Sequence, residues 1–230
     1  MSTFRLAIAV PSGHTWPADF SMCLLNLVLH CMQKAIPGFE RSIVKIFNKR
    51  TSLLPKSRQE LIDDALAADC THLLFVDSDQ TFPSNLVHML MRHGKNVVAC
   101  NIATKTIPAS PTARNRNLEW EGGDTVFTNA DSKGVERVWR IGTGVLLLNL
   151  QIMQHIPKPW FQITWYPELK DFKGEDWFFC EQLEKAGVAI WIDHDASKAV
   201  GHIGNYEYTH DDVTEEVREE TAKMRAAANG

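Results

Sequence analysis

Short, almost continuously apolar runs alternate along this chain with longer stretches whose apolar positions recur at helical spacing. Residues 4–10 (Phe-Arg-Leu-Ala-Ile-Ala-Val) stop at Pro11-Ser12-Gly13, which predicts a buried strand running into a loop. Residues 20–36 carry apolar side chains on most sides and halt before Pro37-Gly38, predicting a well-buried helix. Residues 42–47 read as a second strand. Ser57-Arg58-Gln59-Glu60 has the form of a capping box, with Leu61, Ile62, Ala65 and Leu66 following at helical spacing. A helix is therefore expected from about Arg58, with that arginine in its first turn. Residues 72–76 (His-Leu-Leu-Phe-Val) predict a central parallel strand that delivers Asp77-Ser78-Asp79 at its C-terminal edge. A helix at 86–92 and a buried strand at 96–100 complete an alternation that marks an α/β fold.

Residues 103–140 break that rhythm. Pro108, Pro111, Gly122, Gly123 and Gly134 punctuate short alternating fragments, predicting a loop-and-hairpin insertion. Beyond it, the pattern predicts a strand at 145–149, a short helix at 151–156, a helix at 176–186 ended by Gly187, and a strand at 189–192. Residues 209–228 read as a polar C-terminal helix with a thin Val213, Val217, Met224 stripe. No internal repeat or low-complexity linker is visible, so the 230 residues are expected to form one domain.

Composition narrows the class without changing this reading. A chain 44% hydrophobic and 23% charged has enough apolar material for a sizeable core, which excludes disordered and fibrous proteins. No apolar run approaches the ~20 residues of a membrane span, and the N-terminal run is too short for a signal peptide. A soluble cytoplasmic protein is expected. Five cysteines without a C-x-x-C pair suggest neither a disulfide framework nor a zinc ribbon. The net charge of −4 hides an asymmetry: residues 34–58 hold seven bases and one acid, whereas residues 207–220 hold seven acids and one base. An anionic ligand would sit nearer the first segment, although such segments also serve simply as solvated faces.

Several clusters are candidates for chemistry. Asp77 and Asp79 flank Ser78 where a buried strand leaves the sheet, so they can converge on a hard cation; equally, such acids begin turns and cap helices. Gly174-Glu175-Asp176 opens a predicted helix, as a functional acid pair or as a plain N-cap. His202, in the small-residue setting Ala199-Val-Gly-His-Ile-Gly204, is a ligand candidate or a structural histidine. Gly142-Thr143-Gly144 admits a ligand against the backbone or forms a tight turn. Trp160, Trp165 and Tyr166 offer a stacking wall for a sugar or base, or pack the core.

Taken in order, an arginine in a helix, strand-D-x-D, G-T-G, G-E-D and H-I-G resemble the motif succession of GT-A glycosyltransferases. The likeness is to small family-two-like, bacteriophage-type nucleotide-sugar transferases, and it runs from about residue 4 to 205. It implies a Rossmann-like, mostly parallel sheet flanked by helices. It also implies a metal-dependent hexosyl transfer from a nucleotide-diphosphate sugar, with a UDP-sugar favoured, to an acceptor hydroxyl. By that resemblance Asp77, Asp79 and His202 would hold Mn²⁺ or Mg²⁺. Pro11, Ser12, Arg58, Asp77, Ser78, Gly142, Thr143 and Gly144 would line the donor site. Asp176 would be the general base, with Glu175 beside it. The chain lacks the C-terminal extension of longer members, so the acceptor is not carried over; saccharide, protein or small-molecule acceptors remain open. In phage relatives, which work in the host cytoplasm, some acceptors are modified DNA bases. Lys105, Arg114 and Arg116, in the acid-free stretch 103–118, would suit a polynucleotide.

One rival comes from another class. Residues 73–81 also resemble the strand-DxDxT motif of haloacid-dehalogenase-like phosphatases, in which Asp77 would be the nucleophile. That motif belongs on a first strand, and Asp193-His194-Asp195 is a poor substitute for the late acid pair it requires.

Overall fold

The computed structural model describes residues 3–168, 170–204, 207–213, 219 and 223. In chain order it contains β1 (Thr3–Ser12), α1 (Ala18–Gln33), β2 (Arg41–Arg50), α2 (Leu54–Ala67), β3 (His72–Val76), β4 (Gln80–Thr81), α3 (Leu86–Met91) and β5 (Val97–Ala99). There follow β6 (Arg114–Asn115), β7 (Asp124–Thr125), β8 (Val135–Val138), β9 (Val145–Asn149), β10 (Thr164–Tyr166) and β11 (Asp171–Lys173). The described chain closes with α4 (Glu175–Lys185), β12 (Ile190–Asp193), α5 (His194–Ser197), β13 (Gly201–Ile203) and β14 (Glu207–Tyr208).

A seven-stranded sheet in the order β2-β1-β3-β9-β5-β12-β8 organises these elements. β1 lies between parallel neighbours β2 and β3 and is covered on both faces, which explains its unbroken apolar run. β2, at the edge, alternates half-buried and exposed positions. β9 runs antiparallel to both β3 and β5, and β8 runs antiparallel to β12, so the other five strands share one direction. The sheet is thus Rossmann-like and mostly parallel, as expected, but β3 is parallel to one neighbour only.

Alternate residues of β1 point to opposite layers. Leu6, Ile8 and Val10 pack with Phe20, Leu24 and Leu27 of α1 and Leu86 and Leu90 of α3. Ala7 and Ala9 face Leu61, Ile62 and Ala65 of α2 and Phe179 and Leu183 of α4. Each large side chain so enclosed stabilises the fold by roughly 1.5–3 kcal/mol, so the two layers hold the strand ends rigidly in place.

Four expectations are corrected. α2 starts at Leu54 rather than Arg58, because Pro55 presets the first-turn dihedral; Ser57 lies buried inside the helix and Arg58 in its second turn. α1 buries one face only, leaving Met22, Leu25, Leu29 and Met32 exposed. Part of the expected insertion belongs to the main sheet, since β8 forms its far edge. Residues 150–155 form a 3-10 turn rather than an α-helix, capped by the Asn149 side chain. Most of the expected helix at 209–228 lies outside the described residues; its start is a 3-10 turn at His210–Asp212 capped by Thr209.

Candidate active site

β3 ends at Val76, and the chain turns at once. Asp77 N–H donates to Gly144 O at 2.9 Å, and Gln80 N–H returns to Asp77 O at 3.1 Å, with Ser78 in the turn between the two acids. The acids therefore do begin a turn, and that turn places them. β4 pairs antiparallel with β13 in a register that sets Gln80 opposite His202, and Ile203 N–H donates to Asp79 O at 2.7 Å. This pairing brings His202 from late in the chain to Asp79, with Nε2 3.5 Å from Oδ1. His202 Nδ1 lies 2.9 Å from Ala103 O, so Nδ1 donates to that carbonyl and the ring is oriented with Nε2 toward Asp79. Asp79 Oδ1 is buried without a hydrogen-bond partner, while Oδ2 accepts from Lys105. Burial alone would raise the Asp79 pKa, but His202 and Lys105 outweigh it and hold it at about 2.

Arg58, almost wholly enclosed, is the second organising group. Its Nη2 donates to both Asp77 carboxylate oxygens at 3.0 and 3.1 Å, and its Nε donates to Glu175 Oε1 at 3.4 Å. Its Nη1 reaches Thr143 O at 3.5 Å. Burial opposes its charge, but Asp77, Glu175 and Asp176 keep its pKa above the ordinary arginine value. Burial raises the Asp77 pKa despite that partner. Gly144 serves the same packing: a Cβ there would lie 3.2 Å from Asp77 Oδ2 and 2.9 Å from Ile102 Cδ1. Thr143 and Gln80 add orphaned buried oxygens nearby, Oγ1 and Oε1. The Gly142-Thr143-Gly144 turn thus makes room for the acid and for Thr112, which a Cβ on Gly142 would crowd at 3.2 Å.

Glu175 and Asp176 open α4. Gly174 precedes them, and a Cβ there would sit 2.9 Å from Asp176 Oδ1, which accepts from Trp177 N–H at 2.8 Å. Burial and the neighbouring Glu175 raise the Asp176 pKa to about 6.

Pro11 and Ser12 end β1, paired with Lys49 and Arg50 of β2. Asn48 donates to Ser12 Oγ at 2.6 Å and to Val10 O at 2.8 Å. Beside them, His14, Trp16, Asn48 and Arg50 line a pocket of about 330 Å³. The sequence reading missed this set. Its signal was the position of Arg50 at the C-terminal end of β2 and of Trp16 just past the end of its parallel neighbour β1, where α/β sheets bind ligands.

Other expected residues fall elsewhere. Trp160 is buried, donating to Ile156 O at 2.8 Å, and belongs to the core. Tyr166 donates to Glu121 at 2.8 Å, and only Trp165 of the three is exposed. The cations of the 103–118 stretch are engaged within the chain: Lys105 on Asp79, Arg114 on Pro111 O and Ala113 O, and Arg116 on Glu184. Asp193, fully enclosed, caps α5 and is held by Arg92 and His93.

Among the described residues, no three His, Cys, Asp or Glu side chains are already gathered in ligating geometry. Asp79 Oδ1, buried without a hydrogen-bond partner, and His202 Nε2, 3.5 Å from it, are the two donor atoms that could share a hard divalent cation. Asp77 can join them, since each of its oxygens retains a lone pair beyond the one Arg58 uses.

The sheet, its two helical layers and the acids that follow β3 make a Rossmann-like, mostly parallel α/β architecture. Among solved structures, A197 from STIV is similar over 87% of this chain and 85% of its own, with a TM-score of 0.52 and 18% identity. S. aureus TarS 1-349 gives a TM-score of 0.42 at 14% identity, and its complex with UDP-GlcNAc gives 0.45 at 13%. Each TarS match covers 97% of this chain but only 65% and 66% of the TarS chain. No family profile and no curated protein matches the sequence.

Proposed function

We propose that this chain is a metal-dependent glycosyltransferase that moves a sugar from a nucleotide-diphosphate sugar, a UDP-sugar by its motif resemblance, to an acceptor hydroxyl. The observation that carries the reading is the facing of Asp79 Oδ1 and His202 Nε2 beside the Arg58-bound Asp77, in one sheet edge with the raised Asp176 on α4. Asp77, Asp79 and His202 would hold Mn²⁺ or Mg²⁺, which supplies charge neutralisation for the departing nucleoside diphosphate. The pocket of His14, Trp16, Asn48 and Arg50 beside Pro11 and Ser12 accommodates the nucleoside, with Trp16 as a stacking surface. Arg58 fixes Asp77 and Glu175 relative to each other, so the donor end and the acceptor end of the site keep one geometry. Asp176, with its proton affinity raised, takes the acceptor hydroxyl proton as the new glycosidic bond forms.

The acceptor stays open among saccharide, protein, small molecule and polynucleotide, with Lys105 and Arg116 partly exposed beside their intramolecular partners. The phosphatase reading loses support, because Asp193 is sealed in the helix cap of α5 and held by Arg92 and His93. Calorimetric titration with UDP, GDP, CDP and their common sugar conjugates tests the proposal. One nucleotide is expected to bind with Mn²⁺ and far more weakly without it, and Asp79→Ala is expected to abolish that binding. Failure of all of them to bind with Mn²⁺ overturns the reading.

A further inference from the structure

Lys105 lies on the turn that follows Ala103, and its ammonium sits on Asp79 Oδ2, the oxygen opposite the one that faces His202. The backbone of that turn is braced from within. Thr104 N–H donates to Ser110 O at 2.8 Å, Ser110 N–H to Thr104 Oγ1 at 2.9 Å, and Thr106 Oγ1 to Pro108 O at 3.0 Å. His202 ties it down through Ala103 O. The lysine stem, in contrast, is about one-third exposed and runs past Gly204, where a Cβ would lie 3.3 Å from Lys105 Cδ. A braced backbone thus carries a cation on a long, partly exposed stem, a role that lysine's flexible four-carbon chain suits.

We propose that Lys105 is a displaceable cation of the donor site. Resting on the reading above, it neutralises Asp79 while the divalent ion is absent, yields that carboxylate when the ion enters, and then turns to the diphosphate oxygens of the donor. The physical reason is that an ammonium and a dication on one carboxylate repel each other. Once displaced, the ammonium has lost its partner and would be drawn to the negative charge of a bound donor's diphosphate. Asp79 therefore never stands as an uncompensated charge, and metal entry and donor capture become linked steps.

Two calorimetric titrations on the full chain test this. Mn²⁺ alone is expected to bind Lys105→Met up to about fivefold more tightly than the parent, since the competing ammonium is gone. With Mn²⁺ saturating, UDP is expected to bind Lys105→Met about tenfold more weakly. The two affinities moving in opposite directions is a result that a merely structural lysine does not give. An unchanged or weakened Mn²⁺ affinity, or an unchanged UDP affinity, overturns the assignment. A parent that binds neither Mn²⁺ nor UDP overturns the glycosyltransferase reading as well, so the two failures are distinguishable.

Discussion

Arg58 Nη2 lies 3.0 and 3.1 Å from the two carboxylate oxygens of Asp77, a fork that ties the end of β3 to α2. The same guanidinium reaches Glu175 in the first turn of α4 and lies over the Phe75 ring, its central carbon 5.5 Å from the centroid. Arg58→Met would leave two partly buried carboxylates facing each other without a counter-charge. Removing one partner of an enclosed pair costs about 3 kcal/mol. Urea unfolding should show a free-energy loss of that size, read from a lowered midpoint at unchanged m-value, and Asp77→Asn added to Arg58→Met should recover part of it. A midpoint equal to the parent's would show that the fork contributes nothing to the fold.

Asp176 makes the pH dependence specific. With its pKa raised to about 6, it is a carboxylic acid below that pH and cannot accept a proton. kcat/KM should rise about tenfold per pH unit and level off above pH 6. Asp176→Asn should keep metal-dependent donor binding and lose about a hundredfold or more in turnover. Stability supplies an independent check. A raised carboxyl pKa favours the protonated fold, so the charge burdens the parent fully above pH 6 and progressively less as pH falls toward 4. The Asn variant should therefore melt above the parent at pH 8, with the gap closing between pH 6 and 4. A pH-independent gap would place the effect on packing rather than on the charge.

Much of this site is legible from residue order because α/β sheets deliver functional groups at strand ends. The apolar run at 72–76 marked β3 to the residue, and Asp77 and Asp79 followed from it. What could not be read was pairing at a distance. The antiparallel β9 beside β3 has the same apolar composition as a parallel strand would, so its direction left no trace in the pattern. Ser57 and Glu60 mimicked a capping box, and only the dihedral preset by Pro55 moved the helix start to Leu54. The Arg58–Glu175 pair and the Lys105–Asp79 pair join distant segments, and nothing local in either segment announces them. His14, Trp16, Asn48 and Arg50 were equally silent, since each reads alone as an ordinary loop or edge residue.

Trp16 offers a direct test of that pocket. Its ring packs edge-on against Phe20 at a centroid distance of 5.3 Å, which holds it at the rim while leaving the residue partly exposed. Base stacking on an aromatic ring is worth about 1–3 kcal/mol, so Trp16→Ala should weaken UDP binding at saturating Mn²⁺ by about tenfold or more. Mn²⁺ binding alone should not change, because the ring lies in a separate pocket from Asp79 and His202. Equal UDP affinities in parent and variant would move the nucleoside elsewhere.

His202 is the residue on which the metal assignment turns. β13 and β4 are joined through backbone hydrogen bonds, so His202→Ala removes the imidazole while leaving the pairing intact. It also removes the Nδ1 link to Ala103 O, which orients Nε2 toward Asp79. Loss of a ligand together with its orienting bond should weaken Mn²⁺ by about tenfold to a hundredfold, and Mn²⁺-dependent UDP binding should fall in step. UDP binding without metal should be unaffected. Superimposable Mn²⁺ titrations of parent and variant would remove His202 from the ligand set and leave its 3.5 Å approach to Asp79 as a structural ion pair.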